Sequence, residues 1–318
     1  MKKRILICVL ILNIAFTFAG CSGKNERQAQ IRDEGIELMN QEDYEGAIKK
    51  FDDALLMSTG RVSDIEIDID YYKAAAQFAS GDLKNAKATY SALIEYDDSS
   101  FEPYYLRGCI YANEGQFDKA LKDYNAALNL DKKNYELYIQ IYENLRTLGH
   151  ETEGMEYLKY ALKMKDNSAN GAYYKGRIYY MCDNFDKAEP LLKKAEKKNI
   201  LDAKLYLAKV YQARGQKDEA QALLKEYAAA DQVNSDALGT LGDIEMVNGN
   251  YEEALSYYQT GLSLEKITNY VQLYKGEIVA YEKLNKFEEA SKEINKYLKM
   301  YPGDEAAQRE KIFLESRY

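Results

Sequence analysis

The only histidine, His150, follows Gly149 in a stretch that reads as an inter-helix turn, where a solvated side chain is expected. A cysteine nucleophile activated by imidazole would need that ring beside Cys109 or Cys182, and nothing in the spacing brings them together. Asp64, Glu66, Asp68 and Asp70 recur at every second residue, as calcium ligands do, yet the glycine turn and closing glutamate of a calcium loop are missing. The run reads instead as the acidic first turn of a helix, whose dipole it complements. Its alternating isoleucines mimic a strand, but helical neighbours are expected to prevail. With 52 acidic residues in the chain, paired carboxylates carry no signal for acid–base chemistry. There is no phosphate loop, metal-ligand spacing or nucleophile elbow. The expectation is a protein that is not an enzyme, with no catalytic residue, metal or cofactor.

What positions the remaining side chains is a helical body. At 318 residues, 46% hydrophobic and 30% charged, the chain is long enough for a sizeable core. Three prolines and no tryptophan leave helices possible almost everywhere, and 30 tyrosines against 9 phenylalanines suggest aromatics that pack along one edge and meet water along the other. The net charge of -9 falls to -12 once Lys2, Lys3 and Arg4 are removed with the N-terminal segment. That balance disfavours nucleic acid as a partner of the body.

The N-terminus is the most specific targeting signal. Lys2, Lys3 and Arg4 precede an apolar run over residues 5–18, and Phe18, Ala19 and Gly20 lead to Cys21. The run is short for a membrane span. This segment resembles the lipobox of bacterial lipoproteins, with Phe18 where leucine is commoner. The resemblance implies a signal peptide over residues 1–20, acylation of Cys21 (palmitate among the chains) and a lipid-anchored linker over 21–27. Two or three acyl chains hold a protein stably on a bilayer, whereas one is marginal. The linker, counted as residues 22–28, spans at most about 25 Å. The folded domain, residues 28–318, is then expected close to the extracytoplasmic face of a bacterial cell membrane.

Residues 101–134 set the pattern that the rest of the chain repeats. Tyr104, Gly108 and Tyr111 share one helical face, a turn follows, and Ala120, Tyr124 and Ala127 share a second. Gly108 is expected to let its helix approach Ala120, with Tyr124 filling the gap toward the next copy. Small residues open each second helix at Ala47, Ala86, Ala120, Gly154, Ala188, Ala220, Ala254 and Ala290, spaced 39, 34, 34, 34, 32, 34 and 36 apart. Four residues on stand Phe51, Tyr90, Tyr124, Leu158, Leu192, Leu224, Tyr258 and Ile294, the expected core stripe. Glycines 81, 115, 149, 215 and 249 fall five residues before their anchors, as turn residues should. Tyr142 and Ile278 replace the small residue of the first helix and predict wider packing in their pairs. Pro190, near the start of a helix, should cause no break. Residues 58–64 read as a loop and 304–318 as a capping helix carrying Ala306, Ala307, Ile312 and Phe313.

This pattern resembles the tetratricopeptide repeat, and the resemblance covers nearly the whole chain after the leader. It implies an all-α fold, a tetratricopeptide-like α-solenoid of about eight helix-turn-helix repeats plus a C-terminal capping helix, wound as one continuous body. In that family the first helix of each pair lines a concave groove, which here implies Tyr71, Phe78, Tyr105, Arg146, Tyr173, Arg177, Tyr180 and Lys209 as binding residues. Aromatic faces among cations suit an acidic or aromatic peptide, or the faces of sugar rings. The reading is a lipid-anchored, non-catalytic scaffold that binds a protein or peptide, by analogy in envelope protein assembly. The alternative is a glycan-binding or polysaccharide-assembly factor.

Overall fold

The computed structural model describes residues 23–317 apart from 59, 61, 229, 231–234, 265, 266 and 268. The signal peptide and Cys21 lie outside the described residues. All regular structure within them is helical. Contacts group the chain into two compact units, one ending at Met164 and the other beginning at Lys165, where the sequence reading expects one body. The first holds α1 (Gly23–Asn40), α2 (Tyr44–Leu55), α3 (Asp64–Ser80), α4 (Leu83–Tyr96), α5 (Glu102–Asn113), α6 (Phe117–Leu130), α7 (Tyr135–Thr147) and α8 (Glu151–Lys163). The second holds α9 (Ala169–Met181), α10 (Phe185–Glu196), α11 (Leu201–Ala213), α12 (Lys217–Ala228), α13 (Ser235–Asn248), α14 (Tyr251–Leu262), α15 (Tyr270–Lys283), α16 (Phe287–Met300) and α17 (Glu305–Glu315). Within each unit, antiparallel helix pairs stack in chain order as in a tetratricopeptide-like α-solenoid.

The register carries the packing. The anchors Ala47, Ala86, Ala120, Ala188, Ala254 and Ala290 are fully buried, and so are Phe51, Tyr124, Leu158, Leu192 and Leu224 one helical turn later. The first-helix glycine also seats a ring. A Cβ on Gly108 would meet the Tyr124 ring of its own partner helix at 2.7 Å. The Tyr124 hydroxyl then donates to Asn144 Oδ1 of the next pair at 2.6 Å. Tyr142 does not hold its pair apart. A Cβ on Gly154 would lie 3.1 Å from the Tyr142 carbonyl oxygen, so the glycine has moved to the other helix and the backbones still approach closely.

Every inter-helix turn inside a pair places one residue in the left-handed region, five positions before the anchor. Five are the expected glycines, with φ between 74° and 88°. The other three are Glu42, Asp183 and Asn285 at 60°, 54° and 57°. Asn and Asp tolerate this conformation through their short polar side chains, whereas Glu42 sits there at a cost of about 1–2 kcal/mol.

Several expectations change at the ends of the body. Residues 23–27, read as linker, belong to α1, and Gln28 is buried, donating to Ala54 O at 3.0 Å and Glu66 Oε1 at 3.1 Å. The acidic run is indeed the first turns of α3, but Glu66 and Asp68 are buried, the latter bonded by Arg32 Nη1 at 2.8 Å. Pro190 lies inside a continuous α10. In α17 the core residues are Ala307 and Leu314, while Ile312 and Phe313 face solvent.

The cap helix is fastened by a proton-sensitive contact. The Glu282 carboxyl of α15 bonds Glu310 of α17, and one Glu282 oxygen is buried with no hydrogen-bond partner among the described residues. Burial and then the Glu310 charge push Glu282 up to about 7, against the opposing pull of Lys283. The folded state therefore holds this proton more tightly than the unfolded chain. Its contribution is complete below the ordinary glutamate range and is lost as pH rises through about 7. Amide exchange in α17 should quicken between pH 5 and pH 7 after correction for intrinsic rates, and Glu310→Gln should reduce the increment without removing the part due to burial.

Candidate functional site

Four of the residues expected to line a groove converge in the second unit. Tyr173, Arg177 and Tyr180 recur at helical spacing on α9, and Lys209 stands on the neighbouring first helix α11. Their common centre is Tyr206, one helical turn before Lys209. Arg177 Cζ lies 5.4 Å and Lys209 Nζ 4.9 Å from the Tyr206 ring centroid, both at cation–π distance. The Tyr173 and Tyr180 rings meet the same ring edge-on at 5.9 and 5.8 Å. Arg177, Tyr180, Tyr206 and Lys209 are all half-buried, each with part of its surface open.

The electrostatics favour an incoming negative charge. Burial, then repulsion from Arg177, lowers the Lys209 ammonium to about 8, with Asp243 of α13 acting in the opposite direction. That carboxylate is already engaged: Tyr258 donates its hydroxyl to Asp243 Oδ1 at 2.7 Å, and Gln272 Nε2 of α15 donates to Oδ2 at 2.7 Å. Burial also raises Tyr180, so its hydroxyl stays protonated across the neutral range. The arrangement can hold an anion between Arg177 and Lys209 while its carbon chain rests on tyrosine faces.

The remaining predicted residues do not join such a site. Tyr105 is 2% exposed, packed on Tyr124 with centroids 6.0 Å apart, and Phe78 is buried in the same core. Tyr173 itself is 8% exposed, so it supports Tyr206 rather than offering a free face. Tyr71 is half-buried against Tyr90 at 6.4 Å, and burial pushes its hydroxyl far up. Arg146 is open to solvent but spends its charge on Glu143, with Nη2 to Oε2 at 2.6 Å. His150, expected in water, lies on the Phe117 ring with centroids 3.7 Å apart, at the N-terminus of α8. Tyr206 and Asp243 were not among the expected residues. Tyr206 carries a usable signal, since it lies three residues before Lys209 and so shares its helical face.

Among the described residues no helix is long and apolar enough to cross a membrane, and no cluster of three metal-ligating side chains occurs.

Comparison with known proteins agrees with the repeat geometry. The tetratricopeptide repeat family matches residues 101–134 and again residues 205–264, so the chain contains tetratricopeptide repeats in both units. Among curated proteins it is 26% identical over 164 residues to human protein O-mannosyl-transferase TMTC1, covering 49% of this chain and 18% of that protein. It is 28% identical over 195 residues to the TPR repeat-containing protein MJ1428 of Methanocaldococcus jannaschii, covering 58% of this chain and 34% of that one. The chain thus spans only a minor part of each of these relatives. A solved tetratricopeptide repeat protein from Parabacteroides merdae aligns over 80% of this chain and 99% of its own, at 15% identity and a TM-score of 0.49.

Proposed function

We propose that this chain is a non-catalytic interaction scaffold, held by an acylated Cys21 on the outer face of a bacterial membrane, that grips an acidic segment of a partner protein. The observation that carries the binding half is the convergence of Arg177 and Lys209 on one tyrosine ring. An acidic side chain placed there relieves the repulsion between the two cations and gains hydrogen bonds to charged donors, each worth roughly 1.5–3 kcal/mol. Support for the anchor comes from the basic, apolar and small-residue order ending at Cys21. A role in assembling envelope proteins fits such a scaffold.

The test places a photo-crosslinking residue at Tyr180 in the native cell and identifies captured species by mass spectrometry. A dominant protein partner, lost on Arg177→Ala, is the expected result; capture unchanged by that substitution would exclude this site. Arg177→Ala should weaken binding of the captured acidic segment by roughly ten- to a hundredfold. Binding should also take up a proton and weaken as pH rises through about 8, because free Lys209 then loses its charge. Calorimetry in two buffers of different ionisation enthalpy reads that proton directly. Cys21→Ala should move the chain from the membrane fraction to the soluble one.

A further inference from the structure

A second site lies in the first unit and shares no residue with the cationic cluster. A cavity of about 310 Å³ opens between α6, α7 and α8, lined by Asn125, Leu128, Asn129, Lys132, Tyr138, Tyr157 and Tyr160. We propose that this cavity is a saccharide-binding pocket sized for a single sugar ring of a longer glycan.

The lining points to that chemistry. Asn125 and Asn129 are one helical turn apart on α6, so their amides stand side by side on the same face. Each amide presents donors and an acceptor together, which matches the alternating donor and acceptor capacity of neighbouring hydroxyl groups. Tyr160 is 61% exposed, a large aromatic surface with no core to serve. Lys163 Nζ stands 5.5 Å from its ring centroid and steadies it at cation–π distance. A ring presented in this way provides a flat face for the C–H side of a sugar. Tyr157 is anchored below by an edge-on contact with Tyr124 at 6.4 Å. Burial pushes the Tyr157 hydroxyl up to about 12, which leaves it a neutral donor at the cavity wall.

Other ligand classes fit less well. The lining holds no carboxylate, so a divalent cation lacks its oxygen ligands. Lys132 is its single formal charge, too little for a phosphate chain. A wholly apolar ligand would desolvate both amides without replacing their hydrogen bonds. The volume stands at the lower end of small-ligand pockets, which suits one ring held within a chain that continues into solvent.

Saturation-transfer NMR of the full-length chain with chitotriose and with maltotriose tests the proposal. Saturation of the ring protons of at least one sugar is expected, with affinity falling tenfold or more in Tyr160→Ala and in Asn129→Ala. Tyr96→Ala, which removes an exposed tyrosine on α4 that does not line the cavity, should leave binding unchanged. Circular dichroism of each variant separates lost binding from lost folding, and Tyr160 and Asn129 are exposed enough for the fold to survive. No transfer to either sugar, transfer indifferent to Tyr160→Ala in a folded variant, or displacement of bound sugar by an acidic peptide would overturn the pocket. Only displacement by an acidic peptide also bears on Arg177 and Lys209; the other outcomes leave that reading untouched.

Discussion

Replacing Tyr258 by alanine should lower the unfolding free energy of the second unit by about 3–5 kcal/mol, the range for losing a large buried aromatic. Tyr258 is 1% exposed, and its ring occupies the space that a Cβ would fill at both Gly242 of α13 and Gly276 of α15. One side chain thus joins its own pair to the next. Its hydroxyl donates to Asp243 Oδ1 at 2.7 Å, so the substitution also strips a partner from that carboxylate. Gly276→Ala attacks the same joint by overpacking and should cost about 1–3 kcal/mol. The two substitutions combined should cost less than their sum, because the new methyl occupies part of the space the ring vacates. Urea unfolding of the four proteins gives the cycle. Full additivity would mean that the ring and the glycine act independently.

Asp123→Ala is the second large expected loss, about 1.5–3 kcal/mol, because it strips two charge-assisted hydrogen bonds from the half-buried Arg107 guanidinium. Asp123 is 5% exposed and accepts from Arg107 Nε at 2.7 Å and Nη2 at 2.8 Å, a two-pronged geometry. The third guanidinium nitrogen donates to Ser91 Oγ of α4 at 2.9 Å, so one cation links α5 and α6 to the preceding pair. The hydrogen bonds to Asp123, more than burial opposes them, hold the Arg107 charge in place. Replacing both ends, with Arg107→Met and Asp123→Leu together, should restore stability to within about 1 kcal/mol of the original chain. Denaturation midpoints with an unchanged urea slope report this. A single substitution as mild as the double would show the pair to be solvated.

The core was legible because its geometry admits few residue types. Where two helices cross closely only Ala or Gly fits, and one turn on the gap demands a large apolar side chain, so Ala47 with Phe51 and Ala120 with Tyr124 announce themselves. The left-handed turn residue was legible only where it is glycine. At Glu42, Asp183 and Asn285 the register imposes the conformation and the side chain gives little sign of it. The site was half legible. Helical spacing puts Tyr105 and Tyr180 on equivalent faces, but it does not say which ring will find a seat between helices. Tyr105 found one on Tyr124, whereas Tyr180 stays half-buried against Tyr206. His150 meeting Phe117 was illegible for another reason: the two are 33 residues apart, in successive pairs, and only the stacking brings them together.

The links between neighbouring pairs carry a further meaning. The apolar anchors are alike from one copy to the next, but four of the polar links between neighbouring pairs differ from one another: Arg32 with Asp68, Arg107 with Ser91, Tyr124 with Asn144, Gln272 with Asp243. A transplanted copy would find a socket of the right shape and the wrong lock. At these boundaries the order of the copies is therefore written into the molecule as an address code, which duplicating or shuffling a copy would mismatch.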